Sequence, residues 1–172
     1  MRLFIAVNFD APTKDKLACL REELRKNSRH GSFTQTDNLH LTLAFLGECS
    51  TKQLESASAA MDAVSFKPFV LTVDQIGCFR RSDGDIWWAG IAENRVLLDI
   101  QSSLANRLVA LEFNVDKRRY NPHITVGRRV DTNAVARRIK PFSQTISSIE
   151  LMKSQHVGGK LIYTPVHSKY TV

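Results

Sequence analysis

Two of the five histidines in this 172-residue chain share one setting: Leu39-His40-Leu41-Thr42-Leu43 and Pro122-His123-Ile124-Thr125-Val126. With five His and eleven Thr, chance placement gives ~0.3 His-x-Thr triplets, so two inside matching apolar frames are a signal rather than an accident. In a strand, alternate side chains share a face, so His40 and Thr42 project together while Leu39, Leu41 and Leu43 point to the core. His123 and Thr125 repeat the arrangement against Ile124 and Val126. A neutral imidazole takes a proton and an imidazolium gives one, and a reference pKa near 6.5 keeps both forms accessible at neutral pH. Two facing histidines therefore form an acid and base pair. The pair suits phosphodiester cleavage, in which one His deprotonates the nucleophile and the other protonates the leaving oxygen. The threonine hydroxyls can donate to non-bridging phosphate oxygens, and a nearby Arg can add bidentate charge stabilisation.

The elements that must carry these residues follow from pattern and punctuation. A strand is expected at Arg2–Phe9 and a helix from Pro12 to Asn27, amphipathic through Leu17, Leu20 and Leu24. The first His strand spans Leu39–Leu46, and a helix runs from Thr51 to Val64. Strands at Phe69–Phe79 and Ile86–Ile91 flank the polar turn Arg80-Arg81-Ser82-Asp83-Gly84-Asp85. The second half replays this order: a helix at Asn94–Leu111, the second His strand at Tyr120–Val130 and a short helix through Val135–Ile139. Strands at Ile146–Gln155 and Leu161–Tyr170 then close on Val157-Gly158-Gly159-Lys160. The motifs are 83 residues apart, close to half the chain, which reads as a diverged duplication. The expected organisation is a single domain over residues 1–172 made of two related lobes, about 1–91 and 92–172, closing His-x-Thr against His-x-Thr across a cleft.

Composition narrows the setting. A chain that is 43% hydrophobic can bury a proper core. Cys19, Cys49 and Cys78 are odd in number and widely spaced, which argues against a disulfide framework or structural zinc. The apolar run at Leu3–Val7 is too short for a signal peptide core or a membrane span, so a soluble, cytoplasmic protein with no membrane partner is expected. Residues 1–86 hold 11 Lys and Arg against 11 Asp and Glu, while residues 87–172 hold 13 against 6, so the whole net charge of +7 falls in the second half. Lys117-Arg118-Arg119, Arg128-Arg129 and Arg137-Arg138 read as a phosphate-binding surface for a polyanion. Gly158-Gly159-Lys160 lacks the earlier Gly and the following Ser or Thr of an ATP-binding loop, there is no Gly-x-Ser-x-Gly elbow, and the acidic residues form no evident two-metal cluster. The expectation is a site without metal or cofactor.

The chain resembles the two-histidine phosphoesterase superfamily, specifically the RNA 2′,3′-cyclic phosphodiesterases also called 2′-5′ RNA ligases. The matching segments are Arg2-Leu3-Phe4-Ile5-Ala6-Val7, Leu39 to Glu48, Trp87-Trp88-Ala89-Gly90 and Asn121 to Arg128. The resemblance implies an α+β bilobal fold with pseudo-twofold symmetry, two mainly antiparallel sheets with flanking helices around a central cleft. It also implies a metal- and ATP-independent site with His40, Thr42, His123 and Thr125 at catalytic positions. His40 would be the proton donor and His123 the acceptor, O3′ the leaving oxygen, and the product a 2′-phosphate. The partners implied are RNA ends or nucleotides bearing a 2′,3′-cyclic phosphate, handled by a monomer, with 2′-5′ ligation as the reverse reaction.

Arg128 also matches a phosphate-contacting position of that family. Strict alternation from His123 instead puts Gly127 and Arg129 on the catalytic face, and Arg128 reaches it only if the strand bulges at Gly127. Arg129 is the alternative. Trp87 and Trp88 point to opposite faces, so one belongs to the core while the other is free to stack on a base. Phe9 and Phe45 read as core residues, and His30, His156 and His167 as surface residues. Two rival readings are a non-catalytic basic RNA-binding protein and the same chemistry on a small cyclic-phosphate metabolite.

Overall fold

The computed structural model describes residues 1–172 as nine strands and three helices. In chain order these are β1 (Arg2–Asn8), α1 (Ala11–Lys26), β2 (Ser28–Phe33), a short 3₁₀ turn (Thr36–Asn38), β3 (His40–Glu48), α2 (Thr51–Asp62), β4 (Phe69–Phe79), β5 (Asp85–Ile91), α3 (Arg95–Ala110), β6 (His123–Thr132), β7 (Arg137–Ile146), β8 (Ser148–Val157) and β9 (Lys160–Tyr170). They form two antiparallel sheets, of order β3-β1-β8-β9 and β2-β6-β5-β4-β7. This is the expected α+β, two-sheet architecture. No helix is long and apolar enough to cross a membrane.

Local signals set the helix ends. The Asp10 carboxylate accepts from the Thr13 N–H at the start of α1, and Asn94 does the same for Leu97 in α3. Ser50 and Gln53 form a reciprocal capping box on α2, so orphan N–H groups at all three starts find oxygen partners. Leu17 and Leu24 of α1, Met61 of α2 and Leu97, Ile100, Leu104 and Leu108 of α3 are buried. They pack with Leu3, Ile5 and Val7 of β1 and with Leu41 and Ile124 of the two His strands in one continuous core. At the other end of the chain, Gly158 and Gly159 take φ of 57° and 78°, the conformation a two-residue hairpin needs between β8 and β9.

Three expectations need correction. The segment Val135–Ile139 is not helical; from Arg137 it is β7, hydrogen-bonded along β4. Its Pro141 and alternating exposure suit an edge strand. The polar run Ser28–Phe33, given no element by its pattern, is β2, an edge strand on β6. The lobes also do not follow the halves of the chain. β2, β4 and β5 of the first half complete the sheet of β6, while β8 and β9 of the second half complete the sheet of β1 and β3.

The two His strands carry the same irregularity. In β3, Ala6 faces Thr42 and Ile5 faces Ala44, leaving Leu43 as an extra residue. In β6, Trp88 faces Thr125 and Trp87 faces Gly127, leaving Val126 extra. Each bulge puts two consecutive residues toward the core, Leu43 and Ala44 in one strand and Val126 and Gly127 in the other. Alternation after it is therefore reversed. The fifth residue after each histidine returns to the histidine's face: Phe45 in β3 and Arg128 in β6. A second irregularity follows at Arg129, whose φ is 50°. Gly84 makes room for it, because a Cβ there would lie 2.7 Å from the Arg129 backbone carbonyl carbon, at a φ of 106°. We expect Gly84→Ala to destabilise the fold by about 1–3 kcal/mol in chemical denaturation. Gly158→Ala, at a φ of 57° with nothing near the added methyl, should cost less. Equal costs would show that strain at Gly84 is independent of the β6 bulge.

Candidate active site

His40 opens β3 at the edge of one sheet, and His123 opens β6 inside the other; the two strands lie against each other. Both imidazoles are held the same way. His40 Nδ1 lies 2.7 Å from the Asn38 carbonyl oxygen, and His123 Nδ1 lies 2.7 Å from that of Asn121. A carbonyl only accepts, so each Nδ1 carries the proton and each Nε2 is left for chemistry. The shared signature is thus Asn-x-His-x-Thr, and both asparagines are plain in the sequence. Asn38 is itself buried and donates its side-chain amide to the Leu161 carbonyl at 2.8 Å.

The neighbours of the imidazoles differ. His40 Nε2 is 2.9 Å from Thr42 Oγ1, and its ring packs on Phe4 at 4.8 Å and edge-on to Tyr163 at 5.3 Å. His123 meets Phe79 edge-on at 5.1 Å and Trp88 at 6.4 Å. Trp88 lies over two glycines: a Cβ at Gly77 or Gly90 would approach its indole to 2.5 Å or 2.9 Å. Trp87, on the opposite face, is 1% exposed and belongs to the core.

Arg128 stands on the face of His123 and Thr125 because of the bulge, and its charge reaches both imidazoles and the Tyr163 hydroxyl. Arg129 is displaced from that alternation by its left-handed backbone. Phe45 is not a core residue. It is 47% exposed, lies opposite Phe4 on the His40 face, and carries the Arg2 guanidinium 4.9 Å above its ring. Its sequence position, five residues past His40, reads as apolar strand interior only when the bulge is overlooked. Phe9 is buried, and His30 and His167 lie at the surface facing Asp131 and Asp62.

The basic clusters are less free than their sequence suggests. Arg118 chelates Asp116, holding that carboxyl down at about 2; Arg137 pairs with Glu23 and Arg138 with Asp74, each at 2.7 Å. Lys117, Arg119, Arg128 and Arg129 have no carboxylate partner within 4.0 Å.

Burial pushes the His40 imidazole below the ordinary histidine value. The Asn38 carbonyl opposes this, and the charges of Lys14, Arg128 and His123 add to it. Burial likewise lowers His123, opposed by the Asn121 carbonyl and reinforced by Arg128. The folded state therefore holds both rings neutral to lower pH than the unfolded chain, which protonates them near pH 6.5. Protons bind the unfolded state more readily, so stability is full above about pH 6.5 and is lost as pH falls through the lower folded values. Thermal melting between pH 7.5 and 5 should show this decline, and His40→Ala or His123→Ala should flatten it. An unchanged slope in both variants would place the pH sensitivity elsewhere.

A family model described as LigT like Phosphoesterase matches residues 7–88. The RNA 2′,3′-cyclic phosphodiesterase of Archaeoglobus fulgidus is 33% identical over 129 residues, covering 74% of this chain and 72% of that one. The Escherichia coli protein of the same name is 29% identical over 170 residues, covering 96% and 93%. The crystal structure of E. coli LigT complexed with 3′-AMP superposes with a TM-score of 0.83 at 27% identity, covering 99% of this chain and 96% of that one. With the two His-x-Thr strands brought together on the fold of LigT, the chain belongs to the LigT-like phosphoesterases, the family of the RNA 2′,3′-cyclic phosphodiesterases.

Proposed function

We propose that this cyclic phosphodiesterase opens 2′,3′-cyclic phosphates at RNA ends or on nucleotides to 2′-phosphates, using His40 as acid and His123 as base and no metal or ATP. The observation that carries the reading is the matched pair of imidazoles, each anchored through Nδ1 on the carbonyl two residues earlier, with Arg128 acting on both. In the step itself, His123 Nε2 takes a proton from water as its oxygen bonds to phosphorus. The P–O3′ bond breaks on the opposite side, and O3′ receives the proton of His40 Nε2. Arg128 and the hydroxyls of Thr42 and Thr125 face the negative charge that builds on the non-bridging oxygens.

Burial and Arg128 lower the proton affinity of both rings, and an incoming phosphodiester anion would offset that positive charge and raise both imidazole pKa values, bringing protonation of one of the pair within reach when substrate is present. Phe45, with the Arg2 guanidinium over its ring, offers a flat cationic and aromatic surface on the His40 side, suited to stacking a nucleobase. Ligation follows from the same site. A cyclic phosphate is strained, so a 5′-OH in place of water forms a P–O5′ bond as P–O3′ breaks, giving a 2′-5′ linkage without an energy source.

The test is RNA ending in a 2′,3′-cyclic phosphate, incubated in EDTA without nucleotide triphosphate. We expect a terminal 2′-phosphate by phosphorus NMR, and a loss of ~10²–10⁴-fold in His40→Ala and in His123→Ala. The double variant should be little worse than either single. A 3′-phosphate product would refute the proposed leaving oxygen, and a single variant keeping a third of the activity would refute the pair.

The pairing of Arg118, Arg137 and Arg138 with carboxylates favours recognition of a terminal nucleotide, or a small cyclic phosphate, over a long polyanion track. Oligonucleotide binding should then weaken only modestly with salt, with a log–log slope of about −1 to −2 from one to three phosphates. A slope steeper than about −4 would restore the extended phosphate surface.

A further inference from the structure

Side-chain hydroxyls that neither proton transfer nor phosphate binding uses link the segment leading into each His strand to the other strand, Tyr120 directly across the two sheets and Thr34 from the end of β2, beside β6, through the turn that runs on into His40. Tyr120, three residues before His123, donates its hydroxyl to the Thr42 carbonyl at 2.8 Å. Thr34, six residues before His40, donates its hydroxyl to the Thr125 carbonyl at 3.0 Å, and its backbone N–H to the Val126 carbonyl at 3.0 Å. The relation is reciprocal. The segment leading into each histidine strand grips the carbonyl of the other strand's threonine.

Neighbouring groups add to these contacts. β3 is an edge strand, so its outer carbonyls would otherwise look to water. Gln101 Nε2 of α3 adds a longer bond of 3.4 Å to the Leu43 carbonyl, the next along. Burial pushes the Tyr120 hydroxyl up, so it stays protonated as a donor. On the other side, Arg21 fixes the Thr34 segment through the Thr34 carbonyl at 2.7 Å and Thr36 Oγ1 at 3.1 Å.

We infer that Tyr120 and Thr34 are positioning residues, whose crossed hydroxyl bonds set the spacing of the two His-x-Thr strands and hence the in-line geometry at phosphorus. The inference rests on the two-histidine reading. An acid and a base on separate sheets hold the phosphorus between them only if the sheets cannot slide, and a misplacement of about 1 Å can cost up to ~10²-fold in rate. Deleting one oxygen should leave the core intact while loosening that spacing. The two braces do not touch each other, so independent packing roles would give additive effects. A shared control of one distance would not.

The test uses Tyr120→Phe, Thr34→Val, their double variant and Thr34→Ser, assayed on a 2′,3′-cyclic nucleotide with melting curves alongside. We expect Tyr120→Phe and Thr34→Val each to lower kcat by about 5- to 50-fold with KM within about threefold of wild type. The double variant should lose much less than the product of the singles. Thr34→Ser keeps the donor and should recover kcat. If both single variants stay folded with kcat within twofold of wild type, or if the serine variant is as slow as the valine one, the braces do not position the site. Should Tyr120→Phe fail to fold, the valine and serine pair at Thr34 decides alone. Activity persisting in His40→Ala and His123→Ala would instead overturn the two-histidine reading itself.

Discussion

The site depends on one small constraint, the bond from each imidazole Nδ1 to the carbonyl two residues earlier. That bond fixes the tautomer, since the carbonyl can only accept, and it leaves Nε2 free of the backbone, 2.9 Å from Thr42 Oγ1 at His40. It also places the histidine where a loop or turn becomes a strand. There a carbonyl can bend back to a side chain instead of joining the sheet ladder. The 3₁₀ turn at Thr36–Asn38 and the Pro122 step supply this bend by different means. Everything downstream is strand geometry: threonine two residues on, a bulge one residue further, and then the residue that returns to the same face.

The bulge explains why sequence alone left Arg128 and Arg129 in competition. Alternation counts residues, whereas a bulge inserts one without advancing the face. Its sign was nevertheless present in both strands, as two successive small or apolar residues, Leu43-Ala44 and Val126-Gly127. The long periodic helices and the His strands were legible because apolar spacing alone specifies them. β2 and β7 were not. Their exposed edges demand no apolar alternation, and they hold their places through pairing with β6 and β4, which local pattern does not encode. The lobe boundary failed for the same reason. Strand pairing brought β8 and β9 back to β1, against the order of the chain.

Charge shows a similar separation between count and placement. The surplus of the second half is real, but Glu23 and Asp74 of the first half neutralise Arg137 and Arg138 across the fold. A run of arginines becomes a phosphate surface only where tertiary structure brings no carboxylate to it. Arg128 meets that condition beside the histidines. Phe45 was misread because an apolar residue in an apolar run looks buried; its exposure follows from the bulge.

The matched Asn-x-His-x-Thr strands make the two sides of the site nearly alike, and a symmetric site could not distinguish the two ribose oxygens of a cyclic phosphate. Symmetry is broken at the fifth residue after each histidine, where one strand presents Phe45 beneath Arg2 and the other presents Arg128. An aromatic ring under a guanidinium on one side and an arginine without a carboxylate partner on the other make the two sides chemically unlike. Under the proposed function, that difference would make O3′ and O2′ inequivalent relative to the two imidazoles. The choice between acid and base would then follow from how the nucleotide is held, so two almost identical histidines could take opposite roles.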